Sequence, residues 1–289
     1  MKIQWGKTLL STVLAVGVAM SAQAGNMVVT GHDTDDHRAD QWFDWAMTYL
    51  MTGNGTGYDT SSVETSGLNI AYLSDTGRTV SSTYFGGYNS SVTRVNLSSA
   101  TWTDVFNPGA YDVIVVGTGR DFVSATGSAT MNTQAAAFET YFNAGGNLLV
   151  NSEQGLGSSF YDFLPAFGAT NNAGLPGCSS GVPCMGTATG GAAIGMNDTL
   201  VAEASITHTR FLNVDSAFTT VEQYQNNGGA GSGDAITIAF SGTIQCDPTD
   251  PAASCFIPPV TGVPEASSIA LMGLGLFGLG FTRRKNKSA

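Results

Sequence analysis

A cluster of potential metal ligands lies near the start of the chain, between Gly31 and His37. This segment reads Gly-His-Asp-Thr-Asp-Asp-His and contains two of the three histidines of the chain. Imidazole and carboxylate groups together bind zinc, iron or manganese, and carboxylates alone suit calcium. The residue types therefore predict a divalent-metal site with the ligands His32, Asp33, Asp35, Asp36 and His37. In the alternative interpretation the aspartates stabilise the positive end of the following helix, and both histidines are solvated.

Two residues from later in the chain could complete such a site. Glu153 lies in the turn from Asn151 to Gly155 and is also the candidate catalytic residue, and His208 follows further on. Ser152 in the same turn is a poor candidate for a nucleophile, because the G-x-S-x-G pattern is absent around it. A metal-dependent hydrolase acting on an extracellular substrate is therefore one hypothesis for the function.

The elements that must position these residues alternate along the chain. Short apolar runs predict strands at 26–30, 68–73, 112–116 and 147–150, and apolar residues at helical spacing predict helices at 40–51 and 133–143. This alternation favours a parallel sheet covered on both faces. We predict a doubly wound, mostly parallel, flavodoxin-like α/β sheet with late antiparallel additions at 211–214, 218–223 and 235–240. Ligands bind beyond the carboxyl ends of such strands, where residues 31–37, 117–122 and 151–155 should lie.

The strand and sharp turn around Glu153, followed by Gly155, carry a loose family resemblance. Residues 26–165 resemble the class I glutamine amidotransferase-like fold, in which a cysteine nucleophile lies two residues before a glycine. Glu153 occupies that position here. The resemblance therefore implies the fold without the cysteine chemistry.

The charge of the chain is distributed unevenly. The chain has 11 basic and 22 acidic residues. Residues 25–262 contain five of the basic residues, all arginine, and 21 of the acidic residues, which gives this body a net charge near −16. Because phosphate binding depends on lysine and arginine, such a surface excludes nucleic acid as a partner. It suits a divalent cation or a cationic partner, or it serves solubility alone.

Four cysteines lie in the second half of the chain, as the close pairs Cys178 with Cys184 and Cys246 with Cys255. An even number of cysteines in an exported chain favours disulfides. Four cysteines allow three connectivities, of which we favour the local one. Neither pair has the C-x-x-C spacing of zinc sites.

The first 24 residues have the pattern of a secretory signal peptide. Lys2 and Lys7 precede an apolar stretch from Leu9 to Met20, and Ala22-Gln23-Ala24 is a small-x-small cleavage site. The apolar stretch is too short to span a bilayer, which requires about 20 residues. We therefore predict cleavage after Ala24 and a mature chain that begins near Gly25.

The C-terminal end combines a short motif, an apolar run and basic residues. Val263, Pro264 and Glu265 precede the apolar run 269–281, which is followed by the basic residues Arg283, Arg284, Lys285 and Lys287. In a helix, these 13 apolar residues would cover about 20 Å of a hydrocarbon core that is about 30 Å thick. The basic end would stay in the cytoplasm under the positive-inside rule. The run therefore predicts a C-terminal membrane helix that acts as a temporary stop.

This C-terminal segment resembles the PEP-CTERM sorting tail, whose Pro-Glu-Pro motif, apolar helix and arginine-rich end are read by the membrane peptidase exosortase. Ala266 replaces the second proline of the motif. The resemblance implies an inner-membrane-anchored precursor that is cut and then reaches the cell surface or the exterior. It also implies a setting in which exopolysaccharide is a possible partner.

Together these features predict four segments: a signal peptide at 1–24, an α/β body at 25–240, a linker at 241–262 and a sorting tail at 263–289. The leading hypothesis is an exported surface or extracellular-matrix protein whose body has no complete set of catalytic residues. The alternatives are the metal-dependent hydrolase and a carbohydrate-binding matrix module. In that module, sugars would stack on aromatic residues such as Trp42, Trp45 and Trp102.

Overall fold

The computed structural model describes most of the body of the chain. The described residues are 25–35, 40–56, 68–76, 91–107, 109–119, 122–152, 158–164, 170–173, 185–187, 190–203, 207, 209–225, 233–246, 249 and 254–258. The predicted signal peptide and the predicted sorting tail lie outside them. No described helix is long and apolar enough to cross a membrane.

Strands and helices alternate through the first half of the body, as the sequence predicts. They are β1 (Gly25–Thr30), α1 (Asp40–Thr52), β2 (Asn69–Ser74), β3 (Ser91–Asn96), α2 (Trp102–Val105), β4 (Val113–Val116), α3 (Ala125–Asn132), α4 (Ala135–Asn143) and β5 (Asn147–Val150).

The second half is mostly strand. It contains β6 (Thr170–Ala173), β7 (Met185–Thr187), α5 (Asp198–Glu203), β8 (Thr209–Leu212), β9 (Thr219–Gln225), β10 (Ala235–Ile244) and β11 (Phe256–Ile257), with short 3-10 helices at Ser158–Tyr161 and Gly191–Ile194.

The described strands form one mixed sheet with the order β3-β2-β4-β5-β1-β10-β8-β6, and β9 and β11 also pair with β10. The five strands from β3 to β1 are mutually parallel. From β10 onward the pairing is antiparallel. The predictions of a mostly parallel central sheet and of late antiparallel additions are therefore confirmed.

The strand order differs from the predicted flavodoxin-like topology, in which the parallel strands have the order 2-1-3-4-5. The order β3-β2-β4-β5 corresponds to the order 2-1-3-4 of the first four strands of that topology. The first strand of the chain, β1, lies at the far side of β5, where the fifth strand would be. The flavodoxin-like order is thus not confirmed, and the amidotransferase-like resemblance receives no support. Apolar runs identify strands but carry no information on their lateral order.

Alternate residues of the parallel strands face two separate cores. Met27 and Val29 in β1 belong to the core covered by α3 and α4, where Phe138 and Phe142 are buried. Val28 belongs to the opposite core, which is covered by α1. Helices therefore cover both faces of the sheet, as the continuous apolar strands predict.

The body extends beyond the predicted boundary at residue 240. Residues Ala24–Pro259 form one compact unit, and β10 continues to Ile244 and pairs with β11. The disulfide Cys246–Cys255 closes the connection between these strands. Phe256 packs against Phe218 and Phe240, with ring centroids 4.7 and 5.2 Å apart.

The first part of the predicted linker 241–262 therefore belongs to the sheet. Buried aromatic contacts outweigh the proline and threonine content from which the linker was inferred. The local pairing of Cys246 with Cys255 is confirmed, whereas Cys178 and Cys184 lie outside the described residues.

Candidate functional site

The loop after β1 crosses the carboxyl end of the parallel sheet. Strand β3 lies on one side of β2, and β5 lies on the opposite side of β4, so the connections leaving β2 and β4 run in opposite directions. Ligand crevices of open α/β sheets form at such a reversal. Asp35 reaches this point, because it contacts Tyr72 in β2 and Thr118 directly after β4.

The carboxylate of Asp35 is fully enclosed by hydrogen-bond donors. Its Oδ2 accepts from the hydroxyl of Tyr72 at 2.7 Å and from the backbone N–H of Thr118 at 2.8 Å. Its Oδ1 accepts from the hydroxyl of Thr118. Burial raises the pKa of Asp35 to about 6, against the opposing effect of the Thr118 and Tyr72 hydrogen bonds, and the negative charge of Asp33 adds to the increase. The pKa of this carboxyl group is therefore about two units above its ordinary value.

His32 enters a different buried network, on the other side of β1. Its Nε2 lies 2.7 Å from Oε2 of Glu222 in β9, and its Nδ1 lies 3.2 Å from the hydroxyl of Thr207. The exposed fractions of the side chains are 2% for His32 and 0% for Glu222. The imidazole ring also makes an edge contact with Trp42 of α1 at 5.7 Å. Both ring nitrogens of His32 are thus engaged by the protein itself.

Glu222 is the acceptor on which this network converges. Its Oε1 accepts from Nε1 of Trp42 at 2.6 Å, and its Oε2 accepts from the hydroxyl of Thr237 at 2.6 Å. Burial by itself raises the pKa of Glu222, but the charge of His32 and hydrogen bonds from His32, Thr237 and Trp42 outweigh burial, so the net pKa is lowered. The carboxylate is therefore held in its charged form.

The turn after β5 contacts the β1 loop, as the metal hypothesis requires. Thr34 donates its hydroxyl hydrogen to Oδ1 of Asn151 at 2.8 Å. The hydroxyl of Ser152 donates to the backbone oxygen of Thr30 at 2.7 Å. Glu153, the next residue, lies outside the described residues, as do Asp36, His37 and His208. The structure thus places Asn151 and Ser152, the two residues before Glu153, next to β1 and the loop that follows it.

Two of the described members of the predicted metal site, His32 and Asp35, enter separate hydrogen-bond networks. His32 faces β9, and Asp35 faces β2 and β4. Within the described ranges, no group of three or more histidine, cysteine, aspartate or glutamate residues could hold a metal ion. The alternative interpretation is wrong for His32, which is buried instead of solvated. His32 is buried because its ring packs against Trp42 of α1 and contacts Glu222 of β9.

Of the aromatic residues considered for stacking on sugars, Trp42 and Trp45 are buried in the core. Nε1 of Trp45 donates to the backbone oxygen of Ile194 at 2.8 Å. Trp102 is partly buried and stacks on Phe106, with ring centroids 5.7 Å apart. Of these three residues, only Trp102 is partly exposed to solvent.

Comparison with known proteins identifies the C-terminal segment. Residues 262–285 match the PEP-CTERM protein-sorting motif. This motif implies a protein that is exported, processed by the membrane protease exosortase and brought to the cell surface. No curated protein matches the chain.

A solved structure of the IMPa metallopeptidase from Pseudomonas aeruginosa is similar to part of the chain, with 14% sequence identity and a TM-score of 0.25. The match covers 42% of this chain and 12% of the metallopeptidase chain. At this TM-score the likeness carries no argument about fold or activity.

Proposed function

We propose that this protein is a surface or extracellular-matrix protein, anchored in the inner membrane as a precursor and released from its tail by exosortase. The observation that carries this proposal is the sorting motif at 262–285, which begins three residues after the compact unit ends at Pro259. The mature product is then the acidic α/β body, with the disulfide Cys246–Cys255 at its C-terminal end.

The described chemistry of the body supports display in preference to catalysis. The titratable groups His32, Asp35 and Glu222 are buried, and each is bound by donors or acceptors of the same chain. Buried polar groups that are hydrogen-bonded in this way stabilise a fold and do not present themselves to a substrate. We propose exopolysaccharide as the partner of the displayed body, in keeping with the sorting tail.

The tail itself is suited to temporary anchoring. Its apolar run of 13 residues is shorter than the span of a bilayer. Such a segment inserts only if the bilayer thins or the flanking residues reach its surface. The tail therefore holds the precursor long enough for recognition and is a weak permanent anchor.

Replacing Pro264 and Glu265 by alanine in the full chain should stop processing in a host that contains exosortase. We expect the surface-exposed, shortened form to fall at least about tenfold, because the peptidase loses the two residues that match the motif. Immunoblots of membrane and surface fractions, combined with intact-mass measurement, report both size and location. Ser267→Ala is the matched control, and Ala266→Pro should process at least as well as the unaltered chain. An identical size and location in hosts with and without exosortase would reject the proposal.

The second candidate is the metal-dependent hydrolase. It is favoured by the position of the β1 loop beside the turn that leads to Glu153. Of the predicted site residues His32, Asp33, Asp35, Asp36, His37 and Glu153, His32 and Asp35 are held in separate networks. We therefore propose Asp33, Asp36, His37 and Glu153 as the ligands of the divalent ion in this candidate.

Metal analysis of the purified full chain tests this second candidate. About one equivalent of zinc, iron or manganese should be retained after dialysis and should be lost from His37→Ala. Because His32 is bound to Glu222, His32→Ala should lower stability whether or not a metal binds, so its thermal unfolding must be recorded in parallel. Retention of less than a tenth of an equivalent by the unaltered chain would exclude the metal site.

A further inference from the structure

The end of β3 carries an acceptor pattern for asparagine-linked sugar. Asn96, Leu97 and Ser98 follow the pattern Asn-x-Ser/Thr, in which the middle residue is not proline. Because three residues match by chance in many chains, the meaning of the pattern depends on the structure around the asparagine. An asparagine that carries a bulky, solvated sugar chain must be exposed at the surface of the fold.

The turn after β3 presents this pattern to solvent. Asn96 is the last residue of β3 and is exposed, as is Ser98. Leu97 between them is buried, and its backbone N–H donates to the backbone oxygen of Ser74 in β2 at 3.1 Å. The backbone N–H of Ser99 donates to the backbone oxygen of Asn96 at 3.0 Å and closes the turn. The buried leucine therefore fixes a turn whose two exposed side chains are the polar residues of the pattern.

The side-chain amide of Asn96 is oriented by Ser98 of the same pattern. Its Oδ1 accepts from the backbone N–H of Ser98 at 3.0 Å and from the hydroxyl of Ser98 at 2.8 Å. Among the described residues, no group accepts a hydrogen bond from its Nδ2. Hydrogen bonds to the amide oxygen stabilise the negative charge that develops there as the nitrogen loses a proton. The arrangement therefore leaves the nitrogen accessible and favours its reaction as a nucleophile.

Two other described asparagines belong to the same pattern but are held differently. Oδ1 of Asn197 accepts from the backbone N–H groups of Thr199 and Leu200 at 3.0 and 3.1 Å, so this pattern continues directly into α5. Oδ1 of Asn54 accepts from the backbone N–H of Thr56 at 2.9 Å, so backbone orients this amide. At Asn96 the hydroxyl of the pattern itself contacts the amide oxygen.

We propose that Asn96 carries an oligosaccharide in the mature protein, transferred from a polyprenyl diphosphate donor by an enzyme outside the cytoplasm. In this step Nδ2 of Asn96 forms a bond to C1 of the first sugar, and the bond between C1 and the diphosphate oxygen breaks. The polyprenyl diphosphate leaves, and one proton of the amide passes to solvent. The inference rests on the proposed export, which brings the body to the donor, and is independent of the partner proposed for the body.

The position of Asn96 gives the oligosaccharide a role at the edge of the sheet. Within the described ranges, β3 pairs with β2 and with no other strand. Strands at the edge of a sheet pair readily with other chains unless charged or bulky groups prevent it. Arg94 supplies an exposed charge in this strand. A solvated oligosaccharide on Asn96 adds bulk at its end and opposes pairing with a second copy of the chain.

The absence of lysine from residues 25–262 makes the test selective. Trypsin cuts this body after Arg38, Arg78, Arg94, Arg120 and Arg210. The peptide 95–120 contains Asn96, whereas the patterns at Asn54, Asn89 and Asn197 fall in three other peptides.

The protein is isolated from all fractions of the cells that produce it naturally, and its tryptic peptides are analysed by mass spectrometry with fragmentation that leaves sugars attached. We expect the peptide 95–120 of the exported chain to be heavier by a whole number of sugar residues, with the increase located on Asn96.

Three variants produced in the same cells test the chemistry. Asn96→Asp keeps the oxygen that accepts both hydrogen bonds from Ser98 but lacks the nitrogen. It should fold, as its thermal unfolding reports, and its peptide should be unmodified. Ser98→Ala should lower the modified fraction at least about tenfold, since it removes the hydroxyl hydrogen bond that orients the amide. Ser98→Thr keeps the hydroxyl and should retain the modification.

An unmodified peptide 95–120 in the exported chain would overturn the proposal, as would a mass increase that persists in Asn96→Asp. Undiminished modification of Ser98→Ala would overturn the part assigned to the hydroxyl. Recovery of the chain from the cytoplasm alone would instead reject the export on which the transfer depends. The peptide lies within the body, so none of these results depends on whether the tail is cut.

Discussion

Replacement of Glu222 by alanine should lower the free energy of unfolding by about 3–5 kcal/mol, the cost typical of removing one partner of a buried ion pair. The substitution leaves His32, Trp42 and Thr237 without the carboxylate that they contact at 2.6 to 2.7 Å. Each buried donor left unsatisfied is costly in itself. Urea unfolding of the purified body, followed by tryptophan fluorescence, measures the change.

A surface control and the pH dependence test whether the effect comes from the buried, charged carboxylate. Glu139→Gln, on the partly exposed surface of α4, is the matched control and should change stability by less than about 0.5 kcal/mol. The pKa of Glu222 is lowered in the folded protein. The contribution of the Glu222 charge to stability is therefore fully present above pH 4.5, the ordinary pKa of glutamate. It is lost as the pH falls from there through the lower pKa that Glu222 has in the folded protein.

The difference between Glu222→Ala and the unaltered protein should consequently be largest at neutral pH and should shrink in acid. A difference that stays constant from pH 7 to pH 3 would mean that the side chain contributes through packing alone.

Local patterns in the sequence were sufficient to identify most of the elements. The apolar runs at Val113–Val116 and Asn147–Val150 and the helical spacing of Trp42 and Trp45 correspond to observed elements. Strand β3 was missed because it reads Ser-Val-Thr-Arg-Val-Asn and has mostly exposed side chains at the edge of the described sheet. A polar edge strand lacks the apolar run that marks a central one.

Long-range arrangement was not predictable in the same way. The partners of the β1 loop lie far along the chain, since Thr118 is 83 residues from Asp35 and Glu222 is 190 residues from His32. Spacing within the segment Gly31 to His37 indicated that its side chains act together. The structure separates His32, which contacts Glu222 in β9, from Asp35, which contacts Tyr72 in β2 and Thr118 after β4.

One feature of the sequence did point to Glu222, the partner of His32 that was not predicted. Glu222 is an acidic residue within a strand, where glutamate is moderately depleted, and it requires a partner if its side chain is buried. That pattern indicates a buried pair without indicating which residue completes it. The strand order β5-β1-β10, which brings His32 to Glu222, depends on the whole sheet.

Replacing Asp35 by asparagine should abolish a loss of stability that the unaltered protein suffers as the pH rises towards neutrality. The pKa of Asp35 is raised from the ordinary value of 3.8 to about 6, chiefly by burial. A raised carboxyl pKa means that folding favours the protonated form. The contribution of Asp35 to stability is thus complete below pH 3.8, the pKa of the unfolded chain. It is lost as the pH rises from there through about 6, the pKa in the folded protein. At 1.36 kcal/mol per pH unit, the whole loss is about 3 kcal/mol.

The most informative interval for this measurement is pH 5 to pH 7. Glu222 is ionised there in both the folded and the unfolded chain, so it adds no slope of its own. About 1 kcal/mol of the Asp35 contribution should disappear across this interval in the unaltered protein and remain in Asp35→Asn. Urea unfolding at half-unit steps of pH gives the two curves. At any one pH, the difference in free energy of unfolding between the two proteins includes the cost of placing an amide at position 35. The difference between the slopes of the two curves reports only the titration of Asp35.

Tyr72→Phe provides the counterpart to this variant, because it removes a hydroxyl that donates to the carboxylate at 2.7 Å. Loss of a donor to the charged form raises the pKa further, so the loss of stability should move to higher pH and become larger. Parallel curves for the unaltered protein and Asp35→Asn would show that the carboxyl group does not titrate in this range. Asp35 would then be charged throughout and held by Tyr72 and Thr118 as a permanent anion at the point where the strand connections reverse.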